Sequence, residues 1–149
     1  MFSRILIPTD GSETAQKAAE DAIELARRLH SSVVILSVID LRFHISQTVP
    51  SAAAAGTVRE SIEDYLRESA EVYAEEIRKQ CDKYGIESKV IVTAGHPVEE
   101  IIKEAGKSES TLVVMGSHGR SVLAAAVLGS VTYGVINKGT KTPVLVIRK

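Results

Sequence analysis

The chain has 149 residues, of which 44% are hydrophobic and 25% are charged, an ordinary composition for a globular protein with a sizeable core. Its formal net charge of −1 gives no general reason to expect nucleic acid or an anionic membrane as a partner. Cys81 is the only cysteine, which excludes an internal disulfide and a cysteine-based metal cluster and is typical of a reducing compartment.

The beginning of the sequence has no pattern of a secretory signal, because Met1 to Arg4 lead directly into a strand-like run. No apolar stretch approaches the roughly 20 residues that a helix needs to cross a bilayer. We therefore expect a single domain over residues 1–149, located in the cytoplasm.

The first forty residues predict a β-α-β unit. Ile5 to Ile7 is a short apolar strand, and the sequence TDGS from Thr9 to Ser12 is typical of a turn. Apolar residues then recur at helical spacing from Ala15 to His30, and Val33 to Ile39 has the β-branched composition of a second strand. Asp10 would thus follow the carboxyl end of a strand, where open α/β sheets hold their ligands.

The middle of the chain predicts a long connection, a long helix, a strand and a short helix. Leu41 to Gly56 has no clear period and would form a loop that could lie over a ligand. A helix with one apolar face is predicted from Thr57 to Tyr84, with Cys81 as a buried, inert thiol on that face. Ile86 to Thr93 alternates like a strand at the edge of a sheet, and Pro97 to Gly106 predicts the short helix.

The stretch from Thr111 to Thr132 contains the main functional signal. Leu112 to Met115 predicts a strand buried on both faces, and the chain breaks directly after it. A helix is predicted behind the break, with Ser130 as its N-cap. Between strand and helix the residues follow the spacing G-x2-G-x9-G-S, formed by Gly116, Gly119, Gly129 and Ser130.

A strand that ends in a glycine-rich loop and leads into a helix presents backbone N–H groups to an anion. The helix N-terminus adds a partial positive charge worth roughly 0.3–1 kcal/mol per anionic neighbour. Glycine suits such a loop because a Cβ would hold a phosphate away from the backbone and would penalise a positive φ. The hydroxyls of Ser130 and Thr132 would add donors. The stretch predicts a phosphate site, although each glycine taken alone is also typical of a plain turn.

Together with Pro8-Thr9-Asp10 after the first strand, this spacing resembles the nucleotide-binding branch of the universal stress protein family over nearly the whole chain. The alternation of strands and helices by itself predicts an α/β fold, an open doubly wound parallel sheet with helices on both faces. The resemblance implies a Rossmann-like, five-stranded sheet in the order 3-2-1-4-5. The switch point of that order lies between strands one and four, so Asp10 and Gly116 would meet at one crevice.

The resemblance also implies which residues hold ATP. Val38 would contact adenine through its backbone, and Asp10 and Gly116 would face the ribose. The purine side would be lined by Pro8, Thr9 and Met115, and the phosphates would be held by Gly119, Gly129, Ser130, Val131 and Thr132. Arg120 is a further candidate for a phosphate contact, whereas His118 is expected to be a solvated loop residue.

Asp10 has more than one possible role. It could cap the following helix or shape a turn, and it could help to hold a divalent ion, Mg²⁺ or Mn²⁺, together with the phosphates of ATP. The sequence shows no nucleophile elbow, no paired general acid and base and no catalytic lysine. The leading hypothesis is therefore an ATP-binding regulatory protein. Its rivals are a slow ATPase in which Asp10 orients water and a structural dimer that never holds nucleotide.

The last predicted strand is apolar and would lie at the edge of the sheet, where an exposed strand needs to be covered. The family resemblance implies that two chains pair there, through Val144, Leu145, Val146 and Ile147. We therefore expect a homodimer, with no nucleic acid and no membrane among its partners.

Overall fold

The computed structural model describes residues 1–41, 55–119 and 128–148. Within these ranges, strands and helices alternate along the chain. The strands are β1 (Arg4–Pro8), β2 (Ser32–Ile39), β3 (Ser88–Ala94), β4 (Leu112–Gly116) and β5 (Val144–Ile147). The helices are α1 (Glu13–Leu29), α2 (Ala55–Lys83), α3 (Pro97–Lys107) and α4 (Ser130–Asn137).

The strands form one parallel sheet in the order β3-β2-β1-β4-β5, which confirms the predicted fold class and strand order. Strand β1 lies at the centre, where Pro8 pairs with Leu36 of β2 and Ile5 pairs with Leu112 of β4. Both β3 and β5 lie at edges of the sheet. The carboxyl ends of β1 and β4 are neighbours at the point where the strand order reverses, so the predicted switch point is present.

Side chains that alternate across the strands divide the core into two layers. On one face Ile5, Ile7 and Ile35 pack against α1 and α2. On the other face Leu6 and Val113 pack against α3 and α4. Helix α1 can lie close to the sheet because it presents small, fully buried side chains, namely Ala18, Ala22 and Ala26.

Several element ends differ from the predicted ones. Helix α2 begins at Ala55 rather than at Thr57, and the remainder of the predicted loop, residues 42–54, lies outside the described residues. Helix α3 continues through Gly106 to Lys107, because the backbone of Ser108 still donates to Glu104 O. These differences concern one or two residues and leave the order of elements unchanged.

The buried face of α2 contains Cys81, whose side chain is fully buried as predicted. Burial raises the pKa of this thiol above its ordinary value and disfavours the reactive thiolate. Within the described ranges, none of the helices combines the length and the apolar character that spanning a bilayer requires.

Candidate functional site

The turn after β1 is held together by its own side chains. The Gly11 N–H donates to Thr9 Oγ1 (3.2 Å), and the Ser12 N–H donates to Asp10 Oδ1 (2.9 Å). Gly11 has a φ of 76°, a left-handed conformation that favours glycine. Ser12 is the N-cap of α1, because its side chain accepts from the Ala15 N–H at 3.2 Å. Asp10 therefore shapes the turn and does not cap the helix.

The end of β4 lies directly against the first turn of α1. A Cβ at Gly116 would be 2.8 Å from Thr14 Cγ2, closer than real Cβ atoms approach, and a tight 3.1 Å from the Thr14 carbonyl carbon. Glycine at this position lets the two elements meet. The Asp10 turn, which precedes α1, is thereby held beside the end of β4, as the sequence predicts.

The carboxylate of Asp10 lies against the second glycine of the motif. A Cβ at Gly119 would be only 2.6 Å from Asp10 Oδ2. The turn after β1 and the loop after β4 therefore come into contact at the switch point. Their meeting places one carboxylate beside the loop that is predicted to receive phosphates.

The two ends of the glycine motif also meet. The Gly129 N–H donates to Ser117 O at 2.6 Å, and a Cβ at Gly129 would be 3.2 Å from His118 Cα. Gly116, Gly119 and Gly129 all have φ values outside the left-handed region, so close approach and not positive φ favours glycine here. Arg120, the candidate phosphate contact, lies outside the described residues.

Helix α4 begins directly after Gly129, the residue that is bonded to Ser117 O. Its N-cap is Gly129 (φ −67°, ψ 159°), so the prediction that Ser130 is the N-cap is wrong. The reason is that Gly129 O already accepts the first helical bond, from the Tyr133 N–H at 2.9 Å. Within the described part of the chain, the N–H groups of Ser130, Val131 and Thr132 have no acceptor, as the first turn of a helix requires.

The hydroxyl of Thr132 does not have the expected role. It is buried and donates to Gly116 O at 2.8 Å, which ties the first turn of α4 to the end of β4. The hydroxyl of Thr132 therefore has a partner within the protein, whereas its backbone N–H has none in the described part of the chain. The Ser130 side chain, by contrast, is exposed.

Ser117 and His118, the two residues after Gly116, are more buried than the sequence predicted, and both form hydrogen bonds. Ser117 is 2% exposed, and its N–H donates to Ile147 O at 2.8 Å. Its Oγ lies 3.0 Å from His118 Nδ1, and His118 is half-buried, not the solvated loop residue that was expected. Ser117 lies beside the predicted phosphate site in the sequence, but no role was predicted for its side chain.

The backbone of Val38 faces the crevice. The Thr9 N–H donates to Leu36 O (2.8 Å), whereas Ile39 O accepts from the Gly95 N–H on the β3 side (3.0 Å). Since successive residues of a strand turn their backbone groups to opposite sides, the N–H and C=O of Val38 face the β1 side. Strand β1 has already ended at Pro8, so these two groups lie beyond its last residue.

The three residues predicted to line the purine side lie under the crevice. Pro8 ends β1 and is buried, and Thr9 and Met115 are 6% and 4% exposed. They therefore form the bottom of the crevice and offer a ligand little surface of their own. Among the described residues, no group of three or more His, Cys, Asp or Glu side chains is arranged to hold a metal ion.

Two open depressions in the described surface lie away from this crevice. One, of about 630 Å³, lies between α2 and β3 and contains Val72 and Val90. The other, of about 360 Å³, lies at the amino ends of the strands and contains Ser3 and Ser32. Neither includes a predicted nucleotide contact, so the candidate site rests on the backbone geometry at the switch point.

A doubly wound parallel sheet with a glycine-rich turn and a helix N-terminus at its switch point defines the class of α/β proteins that hold ligands at this edge. A model of the universal stress protein family matches residues 1–148. The chain therefore belongs to the universal stress protein family.

Similar proteins agree with this assignment. Universal stress protein MJ0577 of Methanocaldococcus jannaschii is 36% identical over 158 residues, which cover 100% of this chain and 96% of that protein. A solved structure of MJ0577 has a TM-score of 0.86 at 35% identity, and the match covers 100% of this chain and 97% of that one.

Some proteins of the same fold have been solved with nucleotides. A universal stress protein in complex with cAMP has a TM-score of 0.66 at 20% identity, covering 99% of this chain and 97% of that one. The Archaeoglobus fulgidus protein in complex with dAMP has a TM-score of 0.62 at 20% identity and covers 99% of both chains. At 20% identity, these two matches show that the fold is shared and nothing more.

Proposed function

We propose that this universal stress protein binds ATP in the crevice between the β1–α1 turn and the glycine motif, and that the nucleotide regulates its interactions. The observation that carries the proposal is the convergence of Asp10, Gly119 and the N-terminus of α4 at the switch point of the sheet. The first-turn N–H groups of α4 supply donors for phosphate oxygens, and the helix dipole favours their negative charge.

The parts of the crevice match the parts of ATP. Phosphates would accept from the N–H groups of Ser130, Val131 and Thr132, and Gly119 belongs to the same end of the crevice. Arg120, the next residue in the sequence, stays a candidate for a phosphate contact. The carboxylate of Asp10 would accept from the ribose hydroxyls. The N–H and C=O of Val38 form a donor and acceptor pair that complements the acceptor N1 and the donor N6 of adenine.

A divalent ion fits this arrangement as part of the nucleotide complex. Mg²⁺ prefers phosphate oxygens, water and one or two carboxylates, and Asp10 provides a carboxylate beside the loop. When bound, Mg²⁺ or Mn²⁺ would neutralise part of the triphosphate charge. The backbone N–H groups of α4 would stabilise the triphosphate charge in the absence of the ion as well.

The likeness to the cAMP and dAMP complexes supports the proposal at the level of the fold, since both ligands are adenine nucleotides. A cytoplasmic location and a homodimer that pairs through β5 belong to the same proposal. The edge position of β5 supports the dimer, because an uncovered apolar edge strand favours association.

The test of the site separates the backbone donor of Ser130 from its hydroxyl. Gly129 has the extended conformation that precedes proline, and proline is favoured at the first helical position, so Ser130→Pro should retain α4 while removing one N–H. We expect Ser130→Pro to weaken ATP binding by about 10- to 100-fold, the effect of roughly 1.5–3 kcal/mol for a hydrogen bond to a charged group. Isothermal titration with ATP and Mg²⁺ measures it.

Ser130→Ala is the matched control, because it removes the hydroxyl and keeps the N–H. It should bind ATP within a few-fold of wild type. Equal affinity of wild type and Ser130→Pro would contradict a phosphate site at α4. Mass spectrometry of the nucleotide released on denaturation identifies the ligand, and phosphate release that disappears in Asp10→Ala would favour the slow ATPase.

A further inference from the structure

Strand β3 is an edge strand with no neighbour on its outer side among the described residues. The Val33 N–H donates to Glu87 O (2.9 Å) and the Gly95 N–H donates to Ile39 O (3.0 Å), so the odd-numbered residues turn their backbone groups to β2. The backbone groups of the even-numbered residues, among them Val90 and Val92, consequently point away from the sheet. Within the described part of the chain, these outward groups receive one hydrogen bond, from Arg67 Nη1 to Val92 O at 3.4 Å.

A shallow, open depression lies beside this edge. It has a volume of about 630 Å³ and lies between β3 and one side of α2. Val72 is 68% exposed there, and Tyr65, two helical turns earlier on the same side of α2, is also 68% exposed. We call this feature the β3 groove, lined by Glu68, Glu71, Val72, Glu75 and Val90.

The charges in the β3 groove are all negative. Glu68 and Glu71 form no ion pair within the described part of the chain. Glu75 is paired with Arg78, whose hydrogen bond holds the pKa of this carboxyl below its ordinary value, so Glu75 is ionised at neutral pH. The lining thus contributes three carboxylates and two valines. Two cations border it: Arg78, which is paired with Glu75, and Arg67, which donates to Val92 O. Glu68 and Glu71 are therefore the carboxylates available to a basic ligand.

We propose that the open edge of β3 and the β3 groove receive an extended, basic segment of a partner protein, which adds a strand to the sheet. The outward N–H and C=O groups of β3, of which Val92 O alone has a partner among the described residues, supply the main-chain bonds of strand addition. The carboxylates favour Lys or Arg in the bound segment. Val72 and Val90 favour an apolar residue at the position between two such basic residues. This proposal is independent of the nucleotide site.

The spacing of the groups fits such a segment. Glu68 and Glu75 are separated by about 10 Å along the axis of α2 at 1.5 Å per residue. Residues i and i+4 of a strand are about 13 Å apart and lie on the same face. Two lysines at i and i+4 can therefore reach both carboxylates while the residue between them meets Val72.

The experiment uses the full chain and the blocked peptide Thr-Lys-Thr-Val-Thr-Lys-Thr, which matches the seven residues of β3. A second peptide carries Glu in place of both lysines. We expect the basic peptide to bind at least about tenfold more tightly than the acidic one, and to weaken as salt shortens the Debye length from about 10 Å at 0.1 M to about 3 Å at 1 M. Isothermal titration measures both affinities.

Two charge-matched variants locate the binding surface. Glu68→Gln with Glu71→Gln should weaken binding of the basic peptide about three- to tenfold. Glu20→Gln with Asp21→Asn removes the same charge from exposed positions of α1 and should leave the affinity unchanged. Equal losses in both variants would show unspecific attraction and would overturn the proposal.

Amide exchange tests the strand addition itself. The peptide should slow exchange at Val90 and Val92, whose N–H groups point outward, and should change Lys89 and Ile91 little because these already bond to β2. Unchanged exchange at Val90 and Val92 would overturn the proposal. The proposal would also be overturned if sedimentation showed that Glu68→Gln with Glu71→Gln abolishes self-association, because a second copy of the chain would then occupy the β3 groove.

Discussion

Gly119 and Gly129 differ in the atoms that an added Cβ would contact. At Gly119 the nearest atom to an added Cβ is the side-chain oxygen Oδ2 of Asp10, which can rotate away. At Gly129 the nearest atoms are backbone atoms of His118 and Ser117, and the N–H of Gly129 is bonded to Ser117 O. The same substitution should therefore have different costs at the two positions.

We predict that Gly129→Ala lowers the free energy of unfolding by about 1–3 kcal/mol, because the new Cβ crowds the backbone of the loop. Gly119→Ala should change it by less than about 1 kcal/mol, because displacement of Asp10 is offset by the lower entropy of the unfolded chain. Urea unfolding without nucleotide measures both. A larger loss in Gly119→Ala than in Gly129→Ala would show that Asp10 is held more rigidly than its contacts indicate.

At the scale of elements, α4 depends on its neighbours. It has eight residues, too few for a stable isolated helix. Its position is set by the Thr132 hydroxyl bonded to Gly116 O, by the fully buried Val135, and by Gly134, where an added Cβ would lie 2.6 Å from Val98 Cγ2 on α3. The packing of α3 against α4 thus determines where the N–H groups of the candidate phosphate site point.

We predict that Gly134→Ala lowers the free energy of unfolding by about 1–3 kcal/mol through this overpacking. Gly106→Ala is the control within α3, because a Cβ there meets nothing within 4 Å, and it should raise stability by about 0.4–1 kcal/mol. Thermal and urea unfolding give both values. Val98→Ala should make Gly134→Ala less destabilising than it is in the wild-type background. If the effect of Gly134→Ala is the same in both backgrounds, contact with Val98 is not the cause of the lost stability.

At the scale of the whole molecule, the two edge strands of the described sheet differ in character. The β3 edge adjoins a groove with carboxylates, whereas β5 is apolar and exposes Leu145 to 41%. Helix α4, whose Val135 shares a core layer with Val144, exposes Tyr133 and Ile136. An apolar edge is suited to pairing with a second copy, and an acidic edge is suited to a basic partner.

We predict a dimer of twice the chain mass of 16.0 kDa at micromolar concentration, and Leu145→Asp should convert it to a monomer. A charge at a desolvated interface costs more than a charge in water, which is the reason for the expected dissociation. Leu29→Asp is the control, because Leu29 is similarly exposed (44%) at the end of α1. Sedimentation that gives a monomer for the wild type, or a dimer for Leu145→Asp, would contradict pairing through β5.

Much of this architecture is readable in the sequence because it depends on local patterns. Apolar runs and helical spacing identified the elements, and Pro97 and Gly116 marked real boundaries. The partners of single side chains were less predictable. Ser130 was expected to cap α4, and the Thr132 hydroxyl was expected to face a phosphate, yet both depend on how closely β4 and α4 approach.

The sequence by itself determined the alternation of strands and helices, the two apolar layers and the place of the glycine motif after a buried strand, because these follow from periodicity along the chain. Only the tertiary structure decided that Asp10 contacts Gly119, that Ser117 and His118 are hydrogen-bonded, and that backbone atoms lie close to Gly116 and Gly129. The contact of Asp10 with Gly119 joins residues 109 positions apart, and the others depend on how the loop after β4 packs. Such packing distances are not encoded in any local pattern.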